Sequence, residues 1–369
     1  MQTYNLIVGA GISGATIARE IAEQLKERVV VVDKRNHIGG NCYDFINEAG
    51  LLVPLYGPHF FHTQIDRVWE YVNRFSHWND YQHRVLSKVD DKLVPIPVNI
   101  TTVNTIFGEN IENEDEMKAW LDANTEDIPE PKNSEETALN RVGRVLYEKM
   151  FRNYTRKQWE MDPSEMDPLV MSRIPVRTNF EDRYFTDPHQ GMPAEGYTKL
   201  FERLLDHELI EVRLETDYFQ ARNELPEPAR TFFTGRIDQF FQGQVNESLQ
   251  YRSLRFGFET HDTEFYQSAC TVNYPDESVP FTRITEPKHA TYEKNPRTTI
   301  VKEFPTATGE PYYPVFDPRN KEIFAKYHAL AEEAETKGTY FVGRLAQYKY
   351  FNMDQAFDNA LTVFEKINA

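Results

Sequence analysis

The chain is predicted to be an α/β protein built on a Rossmann-like dinucleotide-binding domain, and three features of its first forty residues predict this. Thr3-Tyr4-Asn5-Leu6-Ile7-Val8 is a short apolar run without a breaker. Gly9-Ala10-Gly11-Ile12-Ser13-Gly14 follows at once, opening a helical stretch to about Lys26. Val29-Val30-Val31-Val32 then ends on Asp33. Glycines at 9, 11 and 14 permit a tight turn, close approach of a pyrophosphate and close packing of helix on strand. The helix N-terminus presents unpaired N–H groups to the phosphates. Asp33 stands about 20 residues past Gly14, where a carboxylate accepts hydrogen bonds from a ribose. A bare GxGxxG is weak; its βαβ setting gives it weight.

Composition sets the outer bounds. At 369 residues the chain is long enough for two or three domains with substantial cores. A net charge of −17 argues against nucleic acid and anionic membrane surfaces as partners. It leaves room for an anionic small molecule held by a local arginine cluster. Cys42 and Cys270 are the only cysteines and form no CxxC, so neither a disulfide framework nor zinc-finger spacing exists. No apolar run approaches the roughly 20 residues that span a bilayer. With the first strand starting by Thr3, the expectation is a cytoplasmic protein without a signal peptide or membrane insertion.

The elements follow in order. In the first helix Ile17 and Ile21, with Ala18, Ala22 and Leu25, make an apolar stripe opposite Arg19, Glu23, Lys26 and Glu27. Residues 66–80 read as a helix burying Val68, Trp69, Val72 and Phe75, and Leu86–Pro97 as a hairpin turning at Asp90-Asp91. From Thr101 to about Lys157 the pattern is helical and rich in acids, which read as a solvated face. Strands return at 231–235, 254–259 and 268–274. The chain closes with Thr339–Val342, Gly343-Arg344 and a helix from about Met353 to Ile367.

Lys34 to Asn41, with its Gly39-Gly40 pair, resembles the strand-to-loop continuation of the FAD-dependent oxidase and hydroxylase superfamily. There the glycine pair lets the chain pass close to the dinucleotide, and it is seldom found in nicotinamide enzymes. The closing strand–glycine–helix unit resembles that superfamily's second FAD contact. The resemblance implies a discontinuous Rossmann-like FAD-binding domain (1–80, 190–245 and 315–369) with a helical insertion (98–170). An antiparallel β-sheet domain (81–97, 171–189 and 246–314) completes the expected architecture.

Further segments narrow the resemblance to one family. They are Gly57-Pro58-His59-Phe60-Phe61-His62-Thr63, Tyr154 to Trp159, Ser172 to Arg177, Tyr251 to Leu254, Phe281 to Glu286, Pro311 to Pro314 and Gly343 to Tyr350. Together they resemble bacterial-type UDP-galactopyranose mutase, a flavin-dependent nucleotide-sugar mutase, from residue 3 to about 360. The resemblance implies that Arg173 and Arg283 bind the diphosphate, that Arg252 is another active-site arginine, and that Tyr184, Tyr313 and Tyr350 face the phosphates and sugar. It places Trp159 at the sugar, Phe151 and Tyr154 around the uracil and Asn273 at the uridine end, and it counts Thr155 among the substrate-binding residues. Cofactor contacts carried over are Gly9, Gly11, Ile12, Ser13, Gly14, Asp33, Lys34, Gly40, Asn41, His59, His62, Gly343, Arg344, Tyr350, Asn352 and Met353. Arginine suits a diphosphate because charge-assisted, forked hydrogen bonds match its geometry. Read without the resemblance, each arginine is a surface residue in a weak ion pair and most of the 20 tyrosines are half-buried core. His59 and His62 could read as a metal pair, but no HExxH-type motif supports it and the family uses no metal.

The implied reaction interconverts UDP-galactopyranose and UDP-galactofuranose, with N5 of reduced FAD attacking the anomeric carbon and expelling UDP. Catalytic roles would then fall to Arg173, Arg283, Arg252, His59, Tyr313 and Tyr350. Residues 169–183, holding Arg173, Arg177 and Arg183, would be a mobile lid, and the family form a homodimer. Two positions depart from the family pattern: Asn352 stands where aspartate is usual and Pro58 where alanine is common. They open the sugar to question, with UDP-N-acetylgalactosamine and dTDP-fucose as alternatives. A FAD oxidoreductase of the amine-oxidase kind would share residues 3–40 but has no use for the three arginine blocks.

Overall fold

The structure is a computed structural model that describes residues 3–368. Five strands run parallel in the order Thr339–Phe341, Arg230–Phe233, Tyr4–Val8, Arg28–Val32 and Ile210–Arg213. The N-terminal strand therefore lies at the centre, and the last strand of the chain shares its sheet. This is the discontinuous Rossmann-like arrangement the sequence predicts.

The first helix, Ile12–Glu20, passes into a π turn and stops at Lys26, which takes φ 56. Ile17, Ala18, Ile21 and Ala22 are fully buried, as the apolar stripe predicts, in one cluster with Ile7, Val29, Val31, Phe201, Phe232 and Phe357. Phe357 belongs to the closing helix Met353–Asn368. Each buried Ile, Val or Phe contributes about 1.5–3 kcal/mol, against ~0–1 for an exposed ion pair, so apolar packing binds the two ends of the chain together.

The second sheet has the order Tyr313–Pro314, Tyr251–His261, Thr298–Thr306, Arg283–Thr285, Thr271–Asn273, Val85–Val89 and Lys92–Ile96. It departs from the expected antiparallel sheet at one place: Thr271–Asn273 pairs parallel with Val85–Ser87. The entire helical insertion lies between those two strands, which supplies the long crossover that parallel pairing needs. Asp90 and Asp91 turn the hairpin with φ 47 and 64, the conformation a two-residue hairpin requires. The strand expected over 268–274 is shorter, Thr271–Asn273, and the Ala269 and Cys270 carbonyls before it accept from the Gln267 side-chain amide at 2.9 and 3.1 Å.

The insertion is helical at Ile100–Phe107, Glu114–Asn124, Ser134–Leu146 and Asn153–Trp159, with a π turn at Tyr147–Arg152. Val103, Met117, Leu139, Leu146 and Met150 form its core. Glu114, Asp115 and Glu116 fill an exposed first turn, where negative charge favours the helix dipole. Among the described residues no helix is long and apolar enough to cross a membrane.

Candidate active site

No side chain caps the first helix at Gly11. The N–H groups of Ile12, Ser13 and Gly14 are thus left for an anion. The two glycine loops pack backbone to backbone: a Cβ on Gly40 would stand 2.9 Å from Gly11 Cα. The closing unit presses on the same place, since a Cβ on Gly343 would fall 2.4 Å from Ser13 Oγ. Asp33 at the end of its strand accepts the Ala10 N–H at 2.8 Å and the Arg35 N–H at 2.9 Å, which fixes the carboxylate beside the turn. Asn41 accepts from Arg35 Nη2 at 3.0 Å, whereas Lys34 pairs with Glu310 at 2.7 Å on the exposed rim. Met353 begins the closing helix, nearly buried. An uncapped helix start and a cradle that side chains would fill fit the pyrophosphate of FAD.

Sheet register builds the opposing wall. Residues directly across a sheet point to the same face. Phe256 lies opposite Glu303, Glu303 opposite Arg283, and Arg283 opposite Asn273, so one row crosses four strands. Arg252 lies opposite Tyr313 and four residues before Phe256 on its strand, hence on the same face. Arg283 Nε is 2.7 Å from Glu303 Oε1, and the glutamate is fully buried. Burial disfavours the guanidinium charge, but Glu303, with Tyr154 and Tyr313, outweighs it and raises the Arg283 pKa well above its ordinary value. Arg252, 5% exposed, donates to Glu160 at 2.9 Å and to the Gln158 carbonyl at 3.3 Å. Its Nη2 has no protein partner.

Arg173 follows the short helix Pro168–Ser172. Its Nη2 donates to Asn352 Oδ1 at 2.8 Å and its guanidinium stands 3.9 Å over the Tyr350 ring. Tyr350 is parallel to Tyr313 at 5.8 Å, and Trp159 reaches Tyr313 at 6.4 Å. Arg344 lies 5.5 Å from the Tyr350 ring and donates to the Phe351 and Tyr312 carbonyls. The other two arginines of this segment do not join the cluster. Arg177 donates to the carbonyls of Glu181, Arg183 and Tyr184, and Arg183 pairs with Glu181.

His59 Nδ1 lies 3.0 Å from the Gly57 carbonyl. Burial, with Arg344 adding to it, pushes its pKa down to about 4, so the ring is neutral at pH 7. His62 faces elsewhere: its Nδ1 is 2.6 Å from Asp187, and it stacks on Phe185 at 3.5 Å. On the nucleotide side, burial raises the Tyr154 pKa to about 12 and raises that of Tyr184, so both phenols stay protonated. Thr155 is buried, and Phe151 is 2% exposed within the helical core.

Three residues at this site escape a reading of the sequence: Glu303, Glu160 and Lys157. Glu303 stands beside Lys302 as one of two adjacent charges, and only the pairing with Arg283 gives it meaning. Glu160 and Lys157 resemble the other exposed charges of an acidic insertion, and their partners are about a hundred residues away.

A family profile described as UDP-galactopyranose mutase matches residues 149–350, more than half the chain, and one described as an NAD(P)-binding Rossmann-like domain matches residues 7–75. The chain is 39% identical to a "Probable UDP-galactopyranose mutase" of Klebsiella pneumoniae, over 96% of this chain and 92% of that one. It is equally 39% identical to a dTDP-fucopyranose mutase of Escherichia coli, over 96% of both. A crystal structure of reduced UDP-galactopyranose mutase superimposes with a TM-score of 0.77 at 16% identity, covering 100% of this chain and 94% of that one. The chain belongs to the UDP-galactopyranose mutase family of FAD-dependent enzymes.

Proposed function

We propose that the protein interconverts UDP-galactopyranose and UDP-galactofuranose. The observation that carries this reading is the convergence of Arg173, Arg252 and Arg283 on one aromatic cleft beside the FAD cradle. When bound and reduced, FAD supplies a nucleophile, N5, for the anomeric carbon. The chain's own residues do the rest by binding and orientation. Arg283 and Arg173 hold the diphosphate where the departing UDP can return, with Arg252 Nη2 as a further donor. Burial raises the Tyr313 pKa, which keeps that phenol protonated, and Tyr313 and Tyr350 donate to phosphate or sugar oxygens. Neutral His59, held against the Gly57 carbonyl, would help to hold the flavin when it is bound, and Arg344 would add positive charge there. Tyr154, Thr155, Trp159 and Asn273 line the nucleotide side.

Residues 169–183 act as a lid that keeps water from the reacting centre. The Arg173 contact with Tyr350 and Asn352 is its closed latch. A homodimer in the cytoplasm completes the reading, and the two buried, unpaired cysteines suit a reducing compartment. A second reading takes dTDP-fucopyranose as substrate. It is favoured by the equal identity to that enzyme and by Asn352, which gives Arg173 a neutral partner. Comparing kcat/KM for the furanose forms of both nucleotide sugars decides between them. At least tenfold preference for the UDP sugar supports the first reading, and the reverse preference replaces it with the second.

A further inference from the structure

The Lys157 side chain is half-buried, and its ammonium is surrounded by backbone carbonyls. Nζ donates to Asp276 O at 2.8 Å, Phe281 O at 3.0 Å and Val279 O at 3.1 Å, and also to Tyr274 O. Four acceptors saturate the three N–H bonds of an ammonium. Its hydrogen-bond partners among the described residues are all main-chain carbonyls and none is a carboxylate. A surface lysine would be solvated and mobile; this one has its charge spent on peptide dipoles of a single loop.

That loop runs from Tyr274 to Phe281. The residue before it is Asn273 and Arg283 comes two residues after it, so it fixes the spacing of a uridine-side group and a diphosphate-side group. Lys157 itself stands on the helix Asn153–Trp159, three residues after Tyr154 and two before Trp159. The helix and the loop belong to different parts of the fold, and Lys157 is a polar tie between them. We propose that Lys157 is a positioning residue for nucleotide binding, clamping the helix that bears Tyr154 and Trp159 to the loop between Asn273 and Arg283. Without it four carbonyl oxygens converge with nothing between them, and mutual repulsion opens the loop. A guanidinium is no substitute, because its planar fork cannot meet four convergent acceptors.

The proposal rests on the nucleotide-sugar reading, so the wild-type protein's binding of UDP or dTDP tests that reading first. The clamp is tested by the ratio of variant to wild-type affinity, measured by calorimetry on FAD-loaded protein. Lys157→Met is expected to weaken binding of the preferred nucleotide about 10- to 100-fold. Flavin content stays unchanged, and KM rises more than kcat falls. Lys157→Arg keeps the charge and is expected to lose affinity nearly as far. In Lys157→Ala, added propylammonium restores part of the affinity, whereas propanol does not. Amide exchange over 274–281 quickens in Lys157→Met and Lys157→Arg alike, whichever nucleotide the enzyme prefers. Affinity within twofold of wild type in Lys157→Met overturns the proposal, as does wild-type affinity in Lys157→Arg. Unchanged exchange over 274–281 in either variant overturns it too, as does parallel loss of flavin and nucleotide.

Discussion

Replacing Arg283 by methionine separates the two duties the structure gives it. Glu303 beneath it is fully buried, and Arg283 keeps 30% of its side chain open to the cleft. Removing one partner of a buried ion pair costs roughly 3–5 kcal/mol. The partial exposure of the arginine places this pair at the low end, about 3 kcal/mol. Unfolding entropy near 2.1 cal/mol/K per residue gives about 0.8 kcal/mol/K for a chain of this length, so Tm should fall about 4 °C. Adding Glu303→Gln removes the stranded carboxylate and should return at least half of that loss. Turnover is not returned, because the substrate diphosphate still lacks its partner; kcat/KM stays down about 100- to 1000-fold in both variants. Thermal melting monitored by flavin fluorescence, alongside sugar-nucleotide chromatography, reads the two effects separately. A double variant no more stable than Arg283→Met, or one with wild-type turnover, refutes the reasoning.

Gly57→Ala should lower both Tm and flavin content, because φ is +81 there and the new Cβ would lie 2.7 Å from the Phe256 ring; a variant with full flavin content contradicts this. His59, held near pKa 4 by burial, binds its proton less readily folded than unfolded. Its contribution is therefore fully present above about pH 6.5 and is lost progressively as pH falls toward 4. Tm recorded across that window should fall less steeply in His59→Gln than in the wild type. Asn352→Asp places a carboxylate where Arg173 now finds a neutral acceptor at 2.8 Å. Competition for the guanidinium should raise the dissociation constant of UDP about threefold to tenfold, with a smaller penalty at high salt.

What the sequence made legible was whatever depends on local backbone chemistry. The turn from Gly9 to Gly14 announces itself because few other sequences make a strand, a tight turn and an uncapped helix start within ten residues. The stripe from Ile17 to Leu25 states which face is buried. The arginines were legible through resemblance: nothing in the neighbourhood of Arg283 distinguishes it from Arg297 until the strand Arg283–Thr285 is laid beside Glu303. Register hid Glu303, since an acid next to Lys302 looks solvent-facing until its strand is laid against Arg283. The parallel pairing of Thr271–Asn273 with Val85–Ser87 was hidden for a related reason, because crossover length permits it without selecting it. Lys157 was illegible as well, its partners being carbonyls, which every residue has. Residues 169–183 carry three arginines with nothing in the sequence to rank them, and only Arg173 reaches the aromatic cluster.

The central claim, a flavin-dependent ring contraction without net oxidation, is tested most directly by incubating the purified flavoprotein with UDP-galactofuranose, with and without dithionite, and separating the products. The account predicts conversion to UDP-galactopyranose only when the flavin is reduced, with no net consumption of reductant. Equal conversion by the oxidised protein, or no conversion of either UDP-galactofuranose or dTDP-fucofuranose by fully reduced protein, would contradict it.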